Sequence, residues 1–454
     1  MKAINRKGVL LLTVAAAMMV VPAFAEQAEE WQDGAAQAWT LTDCINYAIE
    51  HNISVQQSAI AVEQRENDLS TARARQLPGL NAGASQGYSF GRGLTSDNTY
   101  AQTNTTNTSL YLSTDVPLFQ GFSIRNNIDL GKLNLAAATE DLEKAKNDIR
   151  IAVAQAYVQI LYDMEIADVA KSQVTVDSLQ VVRLQDMKEN GKTSQAEVSA
   201  QEATLAQSRL TLTQAENNLS LAVLDLAQLL ELTTPEGFSV VRPSVDDIED
   251  VVLALPEQIY AEALSVKPEV KGERLRLEAA GKNIDIAKAG YYPSLSLSAG
   301  LGSNYYTMSS MSSPSFGTQM KNNFSPSLGL SMSIPIFDRF STRNNVRAAK
   351  MSYRAQELQL ENVSKSLFKE IQQAYYNAVA AESKYNSSLA AEKSAREAFE
   401  AMNDKYETGK ASITEFNEAK NRLMSAASDL AQARYQYLYQ SRLIDFYRGE
   451  EMVF

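Results

Sequence analysis

Val116-Pro117-Leu118-Phe119 returns 218 positions later as Ile334-Pro335-Ile336-Phe337. At the same spacing Arg125-Asn126-Asn127 returns as Arg343-Asn344-Asn345, Gln155-Ala156-Tyr157 as Gln373-Ala374-Tyr375, and Gly191-Lys192 as Gly409-Lys410. A constant offset over such a length means that no insertion or deletion has been accepted between the copies, as expected of long helices whose register is fixed by packing. Each half is one structural unit, built twice.

Working outward from the quoted tetrapeptides, four stretches read as strands. Leu295-Ser296-Leu297-Ser298 and the run from Leu328 to Ile336 alternate large apolar with small residues at period two, which puts the bulk on one face. Leu80 to Ala84 and Leu110 to Val116 do so less cleanly. Within each pair a polar segment intervenes, Gly91 to Thr106 or Met308 to Lys321, reading as an exposed hairpin loop. A proline stands at each end of both hairpins, Pro78 and Pro117, Pro293 and Pro335. Proline lacks a ladder donor and restricts the residue before it, so these mark junctions between helix and strand.

The remainder reads as helix. From Ser123 to Glu189 nothing breaks the pattern, and at 1.5 Å per residue such a run is about 100 Å long. The same holds from Ser341 to Tyr406. Each run ends in a glycine turn, at Gly191 or Gly409, and a second helix returns. Val198, Leu205, Leu212, Leu219 and Leu226 are spaced by sevens, and Phe416, Leu423, Leu430, Tyr437 and Ile444 keep that register. A strict seven-residue repeat implies left-handed supercoiling against a neighbour.

Lys2, Arg6 and Lys7, the apolar run Gly8 to Val21 and Ala23-Phe24-Ala25 have the order of a secretory signal peptide. The chain then divides into that signal (1–25), a first repeat (26–232), a linker (233–256) and a second repeat (257–454). Strand hairpins fall at about 79–120 and 293–337, helical hairpins at about 122–232 and 340–448. The net charge of −12 includes the three signal cations, so the exported part carries −15, which argues against nucleic acid and anionic lipid as partners. A single cysteine, Cys44, permits no internal disulfide.

Four strands are too few to close a membrane barrel, which needs about eight, so several chains must share one. The alternative is a trimeric coiled-coil structural or adhesin protein of the envelope; the four alternating segments and their prolines argue against it.

In this ordered set the chain resembles the TolC-like outer-membrane efflux channels. The resemblance rests on the duplicated plan, the Pro-x-Leu motifs at Pro78 and Pro293, the Val/Ile-Pro-Leu/Ile-Phe exits and the helical turns at Gly191 and Gly409. It implies a mainly α fold with a β-barrel part. In such a homotrimer twelve strands form one outer-membrane barrel in lipid, and twelve antiparallel helices form a periplasmic tunnel. It further implies a passive channel for efflux or type I secretion, with a periplasmic adaptor (membrane fusion) protein and an inner-membrane transporter as partners, and no cofactor.

By the same resemblance the periplasmic end is closed by the second copy's turn. Glu415 and Glu418 stand where the family has an acidic constriction, and threefold symmetry makes each a ring of like charge that favours cations. Ser412-Ile413-Thr414-Glu415 and Ser194-Gln195-Ala196-Glu197 also fit the capping box, in which Ser and Glu satisfy free backbone N–H groups at a helix start. Glu418 has no such duty and is the better ring candidate. Tyr406 matches the position that ties the tip to the neighbouring hairpin, with Glu197 the matching acceptor. Ala411 stands where the family carries a basic residue, leaving Lys410 or Lys192 to substitute. Gly191, Lys192, Gly409 and Lys410 form the hairpin tips that meet the adaptor. Arg125 and Arg343 position the helix starts near the membrane surface.

Gly83-Ala84-Ser85-Gln86-Gly87 fits the nucleophile-elbow pattern, which needs a strand-turn-helix setting and a histidine partner. Ser85 sits in a strand pattern and the only histidine, His51, in an N-terminal helical segment, so the chain reads as no enzyme.

Overall fold

The computed structural model describes residues 38–454 apart from 95–97, 235–236, 244–253, 310 and 453–454. The signal-peptide reading and linker residues 244–253, which include the acidic run Asp246-Asp247-Ile248-Glu249-Asp250, therefore lie outside the described residues.

The first repeat opens with α1 (Leu41–His51) and α2 (Ile53–Ala74), followed by β1 (Gly79–Ser89), a short ribbon of β2 (Arg92–Leu94) and β3 (Tyr100–Gln102), and β4 (Thr105–Gln120). Then come α3 (Ser123–Glu189) and the returning α4 (Gln195–Leu229). The second repeat runs α5 (Pro256–Val266), α6 (Pro268–Lys288), β5 (Ser294–Met308), α7 (Phe316–Asn322), β6 (Ser325–Ser333), α8 (Ser341–Glu407) and α9 (Ile413–Arg448). Pro256, read from the sequence as the last linker residue, opens α5 in its first turn, where a missing N–H costs nothing.

α3 and α8 each contain 67 residues, about 100 Å of helix. Both start from the same device. Phe122 and Phe340 precede the first turn in left-handed conformation, and each sets its ring edge-on against another, Phe119 at 5.1 Å and Phe337 at 5.5 Å. Gly121 supplies a second positive φ in the first copy, whereas the second accepts Arg339 there at φ 56°.

The 218 spacing does not extend ahead of the hairpins. Pro78 and Pro293 are 215 apart, as are Asn52 and Lys267, so the second hairpin has gained three residues, and its connection holds α7. Asn52 joins α1 to α2 and donates to the Leu229 carbonyl at 3.0 Å, at the end of α4. Lys267 joins α5 to α6 and donates to the Phe446 carbonyl at 3.1 Å, near the end of α9. In each repeat the helix junction thus ties down the end of the returning helix, where carbonyls lack helical partners. Lys267 also lies over the Phe446 ring at 3.9 Å, and burial pulls its ammonium down to about 8.

The four long strands form one antiparallel sheet in the order β1-β4-β5-β6. Leu112 stands opposite Ala82 and Leu301, and Ala299, Leu297 and Leu295 stand opposite Leu328, Leu330 and Met332. That face is apolar. On the other, Ser113 meets Asn81 and Gly300, and Ser298 meets Asp115 and Gly329. Asp115 is the one charged residue in these four strands. Strand β4 passes through Pro117 with a register shift and pairs to Gln120, but β6 stops at Ser333, short of the Ile334-Pro335-Ile336 read as strand. β4 is paired on both sides and carries its proline at a bulge; β6 ends at Ser333 because its partner β5 begins at Ser294, directly opposite.

Away from the sheet, α3 contributes Val153, Ala154, Tyr157 and Leu161 to a core closed by α1, the last turns of α4 and the last turns of α9. A second core sets Ile259, Ala263 and Val270 against Leu367, Ile371 and Ala374 of α8. The described part of the linker crosses the first core: Val240 bridges to Trp39, and the Tyr157 hydroxyl donates to the Val241 carbonyl at 2.6 Å. No helix among the described residues is long and apolar enough to cross a membrane.

Candidate functional site at the helical tips

The turns at the far ends of the helical hairpins are built identically. After α3, Gly191 takes φ 69°, its N–H bonding the Lys188 carbonyl and the Lys192 N–H the Met187 carbonyl. After α8, Gly409 takes φ 71°, with Gly409 bonded to Tyr406 and Lys410 to Lys405. This is the Schellman closure, and a residue without Cβ adopts its left-handed step at least cost. It leaves the Lys192 and Lys410 side chains exposed at the two tips.

The helices that return differ in their first turn. Ser412 and Glu415 form a complete capping box: the Ser412 hydroxyl accepts from the Glu415 N–H, and the Glu415 carboxylate accepts from the Ser412 N–H at 2.7 Å. That backbone donor, with the Ser412 hydroxyl, holds the Glu415 carboxyl below its ordinary value. Ser194 caps α4 likewise, but the Glu197 carboxylate accepts from the Thr193 hydroxyl and the box stays half made. Glu418 lies one turn further along α9, is 64 % exposed, and has Arg422 at 4.0 Å as its ion-pair neighbour.

Tyr406 is buried at the tip. Its ring stacks on Phe416 at 4.9 Å between centroids, and the Arg183 guanidinium of α3 lies 4.8 Å above it. Arg183 also reaches the Glu407 carbonyl at 3.4 Å. The cation that meets Tyr406 is therefore Arg183, where the sequence had left Lys410 or Lys192 to serve. Burial pushes the Tyr406 hydroxyl up; the Glu197 charge adds to this and Arg183 opposes it. The structure so gathers Tyr406, Phe416 and Arg183, with Glu197 within electrostatic reach, while Glu415 is engaged at the helix start and Glu418 faces solvent.

Behind this tip lies a buried polar cluster that the sequence reading missed. Lys420 of α9 is fully buried and pairs with Asp177 of α3, also fully buried. The Ser208 hydroxyl donates to the other Asp177 oxygen, and Gln201 donates to Asp177 at 3.2 Å. Asn417 closes the set by donating to Gln201 at 3.3 Å. A lysine between Phe416 and Leu423 on the seven-residue stripe was the available signal.

At the opposite end, Arg343 lies over the Phe340 ring at 5.9 Å beside the strand-to-helix junction. Ser85 stands in β1 opposite Ser109, and His51 ends α1 stacked on Tyr47, so the elbow pattern lacks the setting its chemistry needs.

A family model described as outer membrane efflux protein matches residues 44–231 and 259–449. The chain is similar to the outer membrane efflux protein BepC of Brucella suis biovar 1 (strain 1330), 23 % identical over 415 residues, covering 90 % of this chain and 84 % of that protein. It is similar to the outer membrane protein TolC of Escherichia coli (strain K12), 26 % identical over 414 residues, covering 89 % and 80 %. Among solved structures, that of CusC superposes with a TM-score of 0.77 at 17 % identity, covering 92 % of this chain and 95 % of the other.

Proposed function

This chain belongs to the outer membrane efflux protein family, and from that premise we propose that it is a passive channel serving a tripartite efflux or type I secretion system. Its place is the outer membrane, with the long helices forming a tunnel in the periplasm. An inner-membrane transporter supplies the energy and a periplasmic adaptor joins the two. No residue in this reading performs covalent chemistry, in keeping with a family of channels rather than enzymes.

The observation that carries the reading is the four-stranded sheet. It has one apolar face, one face mostly of Ser, Gly and Asn that also carries Asp115 and Tyr111, and two unpaired edges, β1 and β6. In a bilayer an unpaired edge is untenable, because each bare N–H or C=O costs several kcal/mol. Joining β6 of one copy to β1 of the next removes every edge when three copies make twelve strands. The apolar face then meets lipid and the polar face lines water. The repeats 26–232 and 257–454, with the linker between them, are the corresponding divisions of the chain.

At the tunnel's end, Glu418 is the residue free to form a ring of three carboxylates, since Glu415 is occupied in capping. Tyr406, under Arg183 and near Glu197, joins the second tip to the first. The tips at Gly191, Lys192, Gly409 and Lys410 form the surface offered to the adaptor.

The test is reconstitution. The detergent-extracted outer-membrane protein should be a trimer and should conduct in a planar bilayer. A single-chain mass with the β-structure intact would overturn the shared barrel and the channel together.

A further inference from the structure

The duplicated plan makes the two helical hairpins alternatives for each other's place, and a long apolar seam discriminates poorly between registers one heptad apart. Something must decide how α9 lies on the first hairpin. The cluster around Asp177 breaks the duplication at the needed place. Moved by 218 positions, Asp177, Gln201 and Ser208 fall on Ala395, Ala419 and Ala426, and Lys420 falls on the exposed Glu202. The first hairpin has a polar cradle in its seam where the second has only alanine. The one ammonium buried in that cradle comes from the second hairpin, near the start of α9, on the helix that carries Glu415 and Glu418.

A buried ion pair is weak support for stability, because desolvation of both charges offsets their attraction; its best-attested use is to fix one arrangement among several. Any slide of α9 along α3 takes the Lys420 ammonium out of the cradle and leaves both it and Asp177 buried and unpaired. We propose that Lys420 and the Asp177–Gln201–Ser208 cradle form a register key between the hairpins, positioning the first turns of α9 and hence the carboxylates at the tunnel's end. Asn417, donating to Gln201, extends the key toward the tip. The inference rests on the channel reading and deepens it by naming the residues that position the constriction.

The test compares Lys420→Met and Asp177→Asn with the double variant Asp177→Leu/Lys420→Met, scoring the detergent-extracted trimer and its current in a planar bilayer. Each single substitution strands a buried partner and should reduce trimer yield at least tenfold. The double variant should return the trimer to within about twofold of wild type, yet its current should spread over several levels or rise severalfold relative to wild type recorded in parallel. A double variant that assembles and conducts as wild type would reduce the pair to an ordinary structural contact and overturn the proposal. Single variants that assemble normally would also overturn it, since the pair would not then be desolvated. So would a double variant that fails to assemble, because the pair would be holding the fold rather than choosing the register. Should wild type itself form a trimer without conducting, the channel reading fails; trimer yields then still report on the pair.

Discussion

Glu415 and Glu418 stand three residues apart on α9 and have different prospects. Glu415 gains its backbone partner only on folding, so its carboxyl is held below the ordinary 4.5. A depressed carboxyl contributes stability that is present above the unfolded value and lost as pH falls through the folded one. The difference in trimer melting temperature between wild type and Glu415→Gln should therefore shrink as pH is lowered from 6 through 4.5 and below. Glu418, exposed and without a capping duty, should instead govern ions. In a planar bilayer Glu418→Ala should shift the reversal potential toward neutrality and weaken block by multivalent cations added on the periplasmic side. Unchanged block would place the ring elsewhere. Lys267 titrates in the opposite sense. Burial lowers its ammonium from 10.5 to about 8, so between those values the unfolded chain holds a proton that the folded chain does not, and stability rises with pH. Relative to Lys267→Met, wild type should gain on the order of 3 kcal/mol at most between pH 8 and 10.5, measurable by thermal unfolding.

Among the helices, the seven-residue stripes carry unequal loads in the two repeats. Phe416, Leu423, Leu430, Tyr437 and Ile444 are all buried on α9, whereas on α4 Leu212 and Leu219 are only half-buried. Leu430→Asp places an unpaired charge in a closed seam and should cost about 3 kcal/mol or more, with most of the trimer lost. Leu212→Asp should cost clearly less and leave trimer in the outer membrane. Equal losses would mean that α4 is covered as completely as α9 in the assembly. At the turns, Gly191→Ala and Gly409→Ala each force a Cβ into left-handed backbone with open space around it. The loss should be the conformational cost of about 1 kcal/mol, with no added clash.

On the scale of the whole molecule, assembly follows from geometry that one copy leaves unfinished. The apolar residues Leu328, Leu330 and Met332 are 76 %, 65 % and 65 % exposed on the edge strand β6, whose only strand neighbour among the described residues is β5. Substituting Ser331→Pro deletes an N–H from the middle of that strand and should lower trimer yield without unfolding the helices, read by mass in detergent and by helical circular dichroism. The alternation that makes β6 a membrane strand was legible in the sequence, because period two and the flanking prolines are local. So were both 67-residue helices, the glycine turns and the capping box, each set by neighbours within four residues. The sequence by itself determined these elements and their duplication. Only the tertiary structure decided where β6 ends, that Arg183 rather than a tip lysine meets Tyr406, and that Lys420 is buried with Asp177. Those facts join residues more than 200 positions apart, or depend on where a partner strand begins. A local pattern has no means to record which distant partner compensates a buried charge.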